Sequence, residues 1–104
     1  MGVVMRIIQQ FDPAMEEEFM KLEQQFHELE KRNTDYPKGK RMQPISGGEP
    51  SNTLIWEYEF SDLDTAYKTL NFFIDDSRHE DLFHKQVKMM KMIKTEFYKT
   101  LDFD

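Results

Sequence analysis

The chain has no cysteine, which excludes disulfides, thiolate metal sites and cysteine nucleophiles. It has no apolar run near the ~18 residues of a membrane span, so a membrane partner is not expected. Positive charge is in the minority: 14 Lys and Arg stand against 20 Asp and Glu, a formal net charge of −6. A phosphate backbone would be repelled by such a surface, so nucleic acid is not an expected partner. The first residues lack a basic stretch followed by a long apolar one, so no secretory signal is expected and the location is read as cytoplasmic. Glycine and proline are scarce, four of each, and three of each fall between Asn33 and Asn52. That stretch is punctuation. Aromatic residues, at 13%, are plentiful enough to argue against disorder despite 33% charge. The 104 residues are read as one domain spanning 1–104, with room for a single core and little for a deep pocket of its own.

The clearest element is Thr53-Leu-Ile-Trp-Glu-Tyr-Glu-Phe60, which holds the only tryptophan. Its side chains alternate, as on a strand. Leu54, Trp56, Tyr58 and Phe60 ask for a core, whereas Glu57 and Glu59 on the other side ask for water or partners. Gly2 to Phe11 reads as a second strand, partly apolar on both faces, with Arg6 the charged exception on one of them. Asp12-Pro13 is a helix start. Met15, Phe19, Leu22, Phe26 and Leu29 then form one apolar stripe, with glutamates near its positive end and Lys31 and Arg32 near its negative end. Lys40 to Ser46 reads as an irregular edge strand carrying Pro44.

Ser61-Asp-Leu-Asp64 resembles a capping box, and Leu63, Ala66, Tyr67, Leu70, Phe73 and Ile74 follow at helical spacing. Ser77-Arg-His-Glu80 reads as a second capping box, opening a short helix. Lys94 to Phe103 alternates as a last strand. The order is strand, helix, strand, strand, helix with a short helix, strand. That is the βαββαβ pattern of the ferredoxin-like fold: an α+β domain with a four-stranded antiparallel sheet and helices on one face.

Pairing the apolar parities under the helices puts Ile7, Leu54, Trp56, Tyr58, Phe60 and Phe97 in the core. The opposite, open face then collects Arg6, Ile8, Gln10, Ile55, Glu57, Glu59, Glu96 and Tyr98. A one-residue slip would reverse the assignment. One reading of this mixed face is a solvated surface with scattered ion pairs. The other is a homodimer in which two sheets close face to face around a semi-apolar cavity. Carboxylates withdrawn from water there would have raised pKa values and could act as acids or bases.

The strand Thr53–Phe60, ending in an aromatic before the Ser61-Asp-Leu cap, is followed by an acidic, histidine-containing Ser77-Arg-His-Glu-Asp-Leu-Phe83 and an aromatic-rich strand. In this the chain resembles the dimeric α+β barrel superfamily, which includes antibiotic-biosynthesis-type monooxygenases, NIPSNAP-type proteins and stress-responsive barrel proteins. The resemblance implies the ferredoxin-like fold and a homodimer, and leaves the activity open. The haem-degrading branch combines an asparagine on the first strand, a tryptophan and a helical histidine. Here the first strand carries Gln9 and Gln10 instead, so haem is not expected and no cofactor is assigned.

Other chemistry is thin. His79 and His84 lie five apart, which turns them roughly 140° away from each other on a helix. The zinc helix needs four, so no metal site is expected. His79 aligns with Phe83 on the inner side and reads first as a packing or capping residue. His27 reads as a boundary residue. Tyr36-Pro-Lys-Gly-Lys-Arg41 is the most basic loop, a solvated segment or a contact for an anionic ligand. Lys85, Lys88, Lys91 and Lys94 recur every three residues among methionines, a spacing also seen in surface-seeking amphipathic segments.

Three functions remain open. The first is binding of a small organic molecule in the barrel cavity, with Arg6, Glu57, Glu96, Tyr98, Arg41 and Trp56 as ligand-binding candidates. The second is a cofactor-independent monooxygenase or isomerase using the same cavity, with Glu57 or His79 as catalytic candidate. The third is a structural or regulatory interaction module. Whether the chain is an enzyme is left undecided.

Overall fold

A computed structural model describes residues 2–103. The strands are β1 (Val3–Phe11), β2 (Lys40–Met42), β3 (Thr53–Phe60) and β4 (Met90–Lys99). The helices are α1 (Glu16–Arg32), α2 (Leu63–Asp75) and α3 (Ser77–Gln86). All strand pairs are antiparallel, and the sheet order is β2-β3-β1-β4. This is the ferredoxin-like arrangement, with the helices packed on one face.

The registers settle the face assignment. Ile7 stands opposite Trp56 and Thr95, and Arg6 opposite Glu57 and Glu96. The parity of Met5, Ile7, Leu54, Trp56, Phe60 and Phe97 therefore faces the helices, as its apolar content requires. Met5, Tyr36, Trp56, Phe60, Ala66 and Phe73 form one buried cluster. Phe11, Phe19 and Leu54 form a second, joined by Met89 and Met90. Phe11 and Phe19 stack with centroids 4.7 Å apart and are fully buried. Each such side chain contributes about 1.5–3 kcal/mol through the area it removes from water.

Several boundaries differ from the sequence reading. Asp12 caps a 3-10 turn, Pro13–Met15, and the α-helix proper begins after it. The second strand stops at Met42, short of Pro44, whose missing N–H cannot extend a ladder. The N-cap of α3 is Asp76 and not Ser77: its carboxylate accepts the Arg78 N–H at 2.9 Å. The last strand begins at Met90, because β1 runs to Phe11 and its final residue pairs with Met90. The lysine series is consequently broken up. Lys85 is on α3, Lys88 in a 3-10 turn, and Lys91 and Lys94 on β4, so no single amphipathic segment exists.

The open face is covered at one end. Asn52 exchanges hydrogen bonds with Phe11, and Lys94 pairs with Glu49 at 3.0 Å. These ties hold the β2–β3 loop against the sheet, and Ile8 is buried although it lies on the open face.

Candidate functional site

The proposed site residues divide between the two faces of the sheet. On the open face Arg6, Glu57, Glu96 and Tyr98 come together. Arg6 Nε donates to Glu57 Oε1 at 2.6 Å, and its guanidinium lies 5.2 Å from the centre of the Tyr98 ring. The Tyr98 hydroxyl donates to Glu96 Oε1 at 2.6 Å. That hydrogen bond holds the Glu96 carboxyl below its ordinary pKa and pushes the Tyr98 phenol up. In the single chain Glu96 therefore resists protonation, the reverse of what a general acid needs.

Arg41, Trp56 and His79 lie on the other face, among the helices. Glu57 and His79, the two catalytic candidates, are thus on opposite sides of the sheet. His27 and His84 are exposed on their helices.

The helix side encloses a cavity of about 240 Å³, a space that a chain of this length was not expected to provide. The strand order lays Arg41 on β2, Trp56 on β3, Gln9 on β1 and Ile93 on β4 along its floor. Three inter-strand gaps of ~4.8 Å make that floor roughly 14 Å across. The roof comes from α1 and α3, through Phe26, Leu29, His79 and Phe83. Ile93 and Ile74 line the cavity yet are 43% and 62% exposed, so it opens between the β4 edge and the end of α2.

At the β2 end the basic loop is divided: Lys38 and Lys40 are exposed, whereas Arg41 is turned inward. Arg41 Nε donates to Glu23 Oε2 at 2.5 Å and Nη1 donates to Glu30 Oε1 at 3.1 Å, with Nη2 completing the fork to Glu30 Oε2. Gln86 donates to Glu23 at 2.9 Å and the Trp56 indole N–H to Glu30 at 3.4 Å. Burial pulls the Arg41 pKa down, but the hydrogen bonds and charges of Glu30 and Glu23 outweigh it, and the net shift is upward. Gly39 closes over Trp56: a Cβ at this position would overlap the indole. The loop therefore needs glycine here to bring Arg41 under α1.

Tyr36 is buried by the neighbouring aromatics. It stacks on Phe73 at 5.6 Å and donates its hydroxyl to Asp76 at 2.7 Å. Burial, then that hydrogen bond, push its phenol well above the ordinary range. Arg78 donates to Asp76 from Nε and Nη2, and with the Tyr36 bond this holds the Asp76 carboxyl far below the usual carboxylate range. His79 lies flat against Phe73, with centroids 4.8 Å apart. Burial lowers its pKa, against a weaker upward pull from Glu80, whose carboxylate is 3.4 Å from Nδ1. The imidazole is consequently neutral near pH 7.

Sequence reasoning missed Glu23, Glu30, Gln86, Gln9 and Glu80. A signal existed for the first two. They stand seven apart and each follows a stripe residue, Leu22 or Leu29, which puts both on the inner edge of α1. Among the described residues, no three His, Asp or Glu side chains are grouped to hold a metal ion. No helix there is long and apolar enough to cross a membrane.

Solved structures share this architecture from end to end. A NIPSNAP family protein from Agrobacterium tumefaciens superposes with a TM-score of 0.81 at 13% identity, over 99% of this chain and 96% of that one. An uncharacterised NIPSNAP domain protein from Burkholderia xenovorans gives 0.77 at 18% identity, over 100% and 98%. A putative antibiotic biosynthesis monooxygenase from Nitrosomonas europaea gives 0.71 at 12% identity, over 96% and 90%. No protein-family model and no curated protein sequence matches the chain. Its fold is that of the NIPSNAP and antibiotic-biosynthesis-monooxygenase group, at identities that speak for architecture alone.

Proposed function

We propose that this chain is a single-domain member of the dimeric α+β barrel superfamily that binds a small organic molecule. The ligand site is the cavity between the sheet and the helices, and the open face closes a homodimer. The observation that carries the reading is the cavity itself: apolar walls, a few convergent polar groups at the Arg41 end and an open mouth. Ligand sites have this constitution, and typical ones measure about 300–1,000 Å³, so a small ligand is implied. Arg41 and Trp56 belong to this site. Arg6, Glu57, Glu96 and Tyr98 belong to the dimer face, where Ile55, Met42 and Tyr98 offer apolar surface.

Fragment binding tests the reading, with melting temperature and Trp56 emission as readouts. Apolar fragments should raise the melting temperature and shift the emission. Ile93→Phe, at the exposed mouth, should abolish both responses. If no fragment moves either signal, the cavity is not a ligand site. Light scattering tests the dimer, which should weigh twice the 12.6 kDa chain.

One observation favours the enzymatic alternative, a cofactor-independent monooxygenase or isomerase. His79 is a neutral imidazole in the cavity wall, in the form a general base requires. Under this alternative His79→Gln abolishes turnover while fragment binding persists.

A further inference from the structure

The polar groups around the cavity do not balance. Three carboxylates, Glu23, Glu30 and Glu80, line it with a single guanidinium, Arg41. Arg41 is consumed by Glu23 and Glu30. Glu80 has no cationic partner among the described residues other than His79, whose imidazole is neutral near pH 7. Its side chain is 26% exposed, so water only partly compensates it.

Gln9 adds a neutral polar group to the same lining. It is only 7% exposed and lines the cavity, yet its side-chain amide makes no hydrogen bond to any described residue. Its carbonyl oxygen is an acceptor of the kind an ammonium seeks. The walls include the aromatic rings of Phe26, Phe73, Phe83 and Trp56. An aromatic ring attracts a cation placed over its face.

We propose that the cavity takes a small apolar amine in its protonated form, with the ammonium held by the Glu80 carboxylate and the aromatic walls. Carboxylates of the same size are rejected, because they would add a fourth negative charge to a lining with one cation. The amine class rests on the cavity being the ligand site.

Three probes of matched size separate the two ideas: phenethylamine, 2-phenylethanol and phenylacetate, titrated calorimetrically at pH 7.5 into the intact chain. The amine should bind roughly 10-fold more tightly than the alcohol, a difference of the size cation–π and carboxylate contacts supply. Phenylacetate should give no heat. In Glu80→Gln the amine should fall to the level of the alcohol, with alcohol binding unchanged. Alcohol or carboxylate binding as tight as amine binding overturns the amine class and leaves the cavity reading standing. An amine preference that survives in Glu80→Gln overturns the role of Glu80. Absence of heat with all three overturns both the amine class and the cavity.

Discussion

The two arginines of the sheet make the same bond in different places. Arg6 and Arg41 each use Nε to reach a glutamate on another element, at 2.6 and 2.5 Å. The Arg6 side chain is 43% exposed and its pair faces water. The Arg41 side chain is 17% exposed, and its two carboxylates lie at 8% and 9%. Bond length therefore says little about energetic weight. What differs is what happens when a partner is removed. On the open face water replaces it. Under the helices nothing does, and two carboxylates are left in a poorly solvated site.

Removing each arginine breaks this comparison from opposite ends. Arg41→Ala should have the largest effect, a loss of about 3–5 kcal/mol of unfolding free energy, because it strands Glu23 and Glu30. Urea unfolding measures it. A loss under about 1 kcal/mol would show that water reaches the Arg41 site and that the two faces are electrostatically alike.

Acid should act on the covered face next. His79 is neutral and buried in the folded chain and more readily protonated when unfolded, so the unfolded state binds the extra proton. Stability is full above the ordinary histidine pKa of about 6.5. It falls as pH drops through that value toward the lowered folded one. Glu80, Asp76 and Glu30 pull the other way but are outweighed by burial. The slope between pH 7.5 and 5.5 should flatten in His79→Gln. An unchanged slope would mean that another group carries it.

Arg6→Ala should have the smallest effect on the isolated fold, about 0–1 kcal/mol. Its consequence should appear instead in the oligomeric state, because the pair lies on the face assigned to the dimer. A loss above about 2 kcal/mol at concentrations where the chain is monomeric would place the Arg6–Glu57 pair in the buried class.

Most of the fold was legible, because its signals are local. The alternation of Leu54, Trp56, Tyr58 and Phe60 named a strand and its inner face together, since side-chain direction has period two. The stripe from Met15 to Leu29 named α1 and its buried side in the same way. Element ends were less legible. The α3 cap passed from Ser77 to Asp76, which α2 also ends on, because two adjacent polar residues competed for one role. The start of β4 at Met90 depended on how far β1 extends, which its own residues do not encode.

The candidate site was legible only in pieces. Trp56 and His79 stood out as rare residues, and Arg41 as part of a basic loop that looked solvated. That Arg41 turns inward depends on Glu23 and Glu30 presenting carboxylates and on Gly39 leaving room beside the indole. The sequence alone determined which stretches are strands and helices and which side chains share a face, because those follow from contacts a few residues apart. Only the tertiary structure decided which charges lie out of water. Burial is created by distant elements meeting, here β2, β3, α1 and α3, and no local pattern in any one of them records the other three.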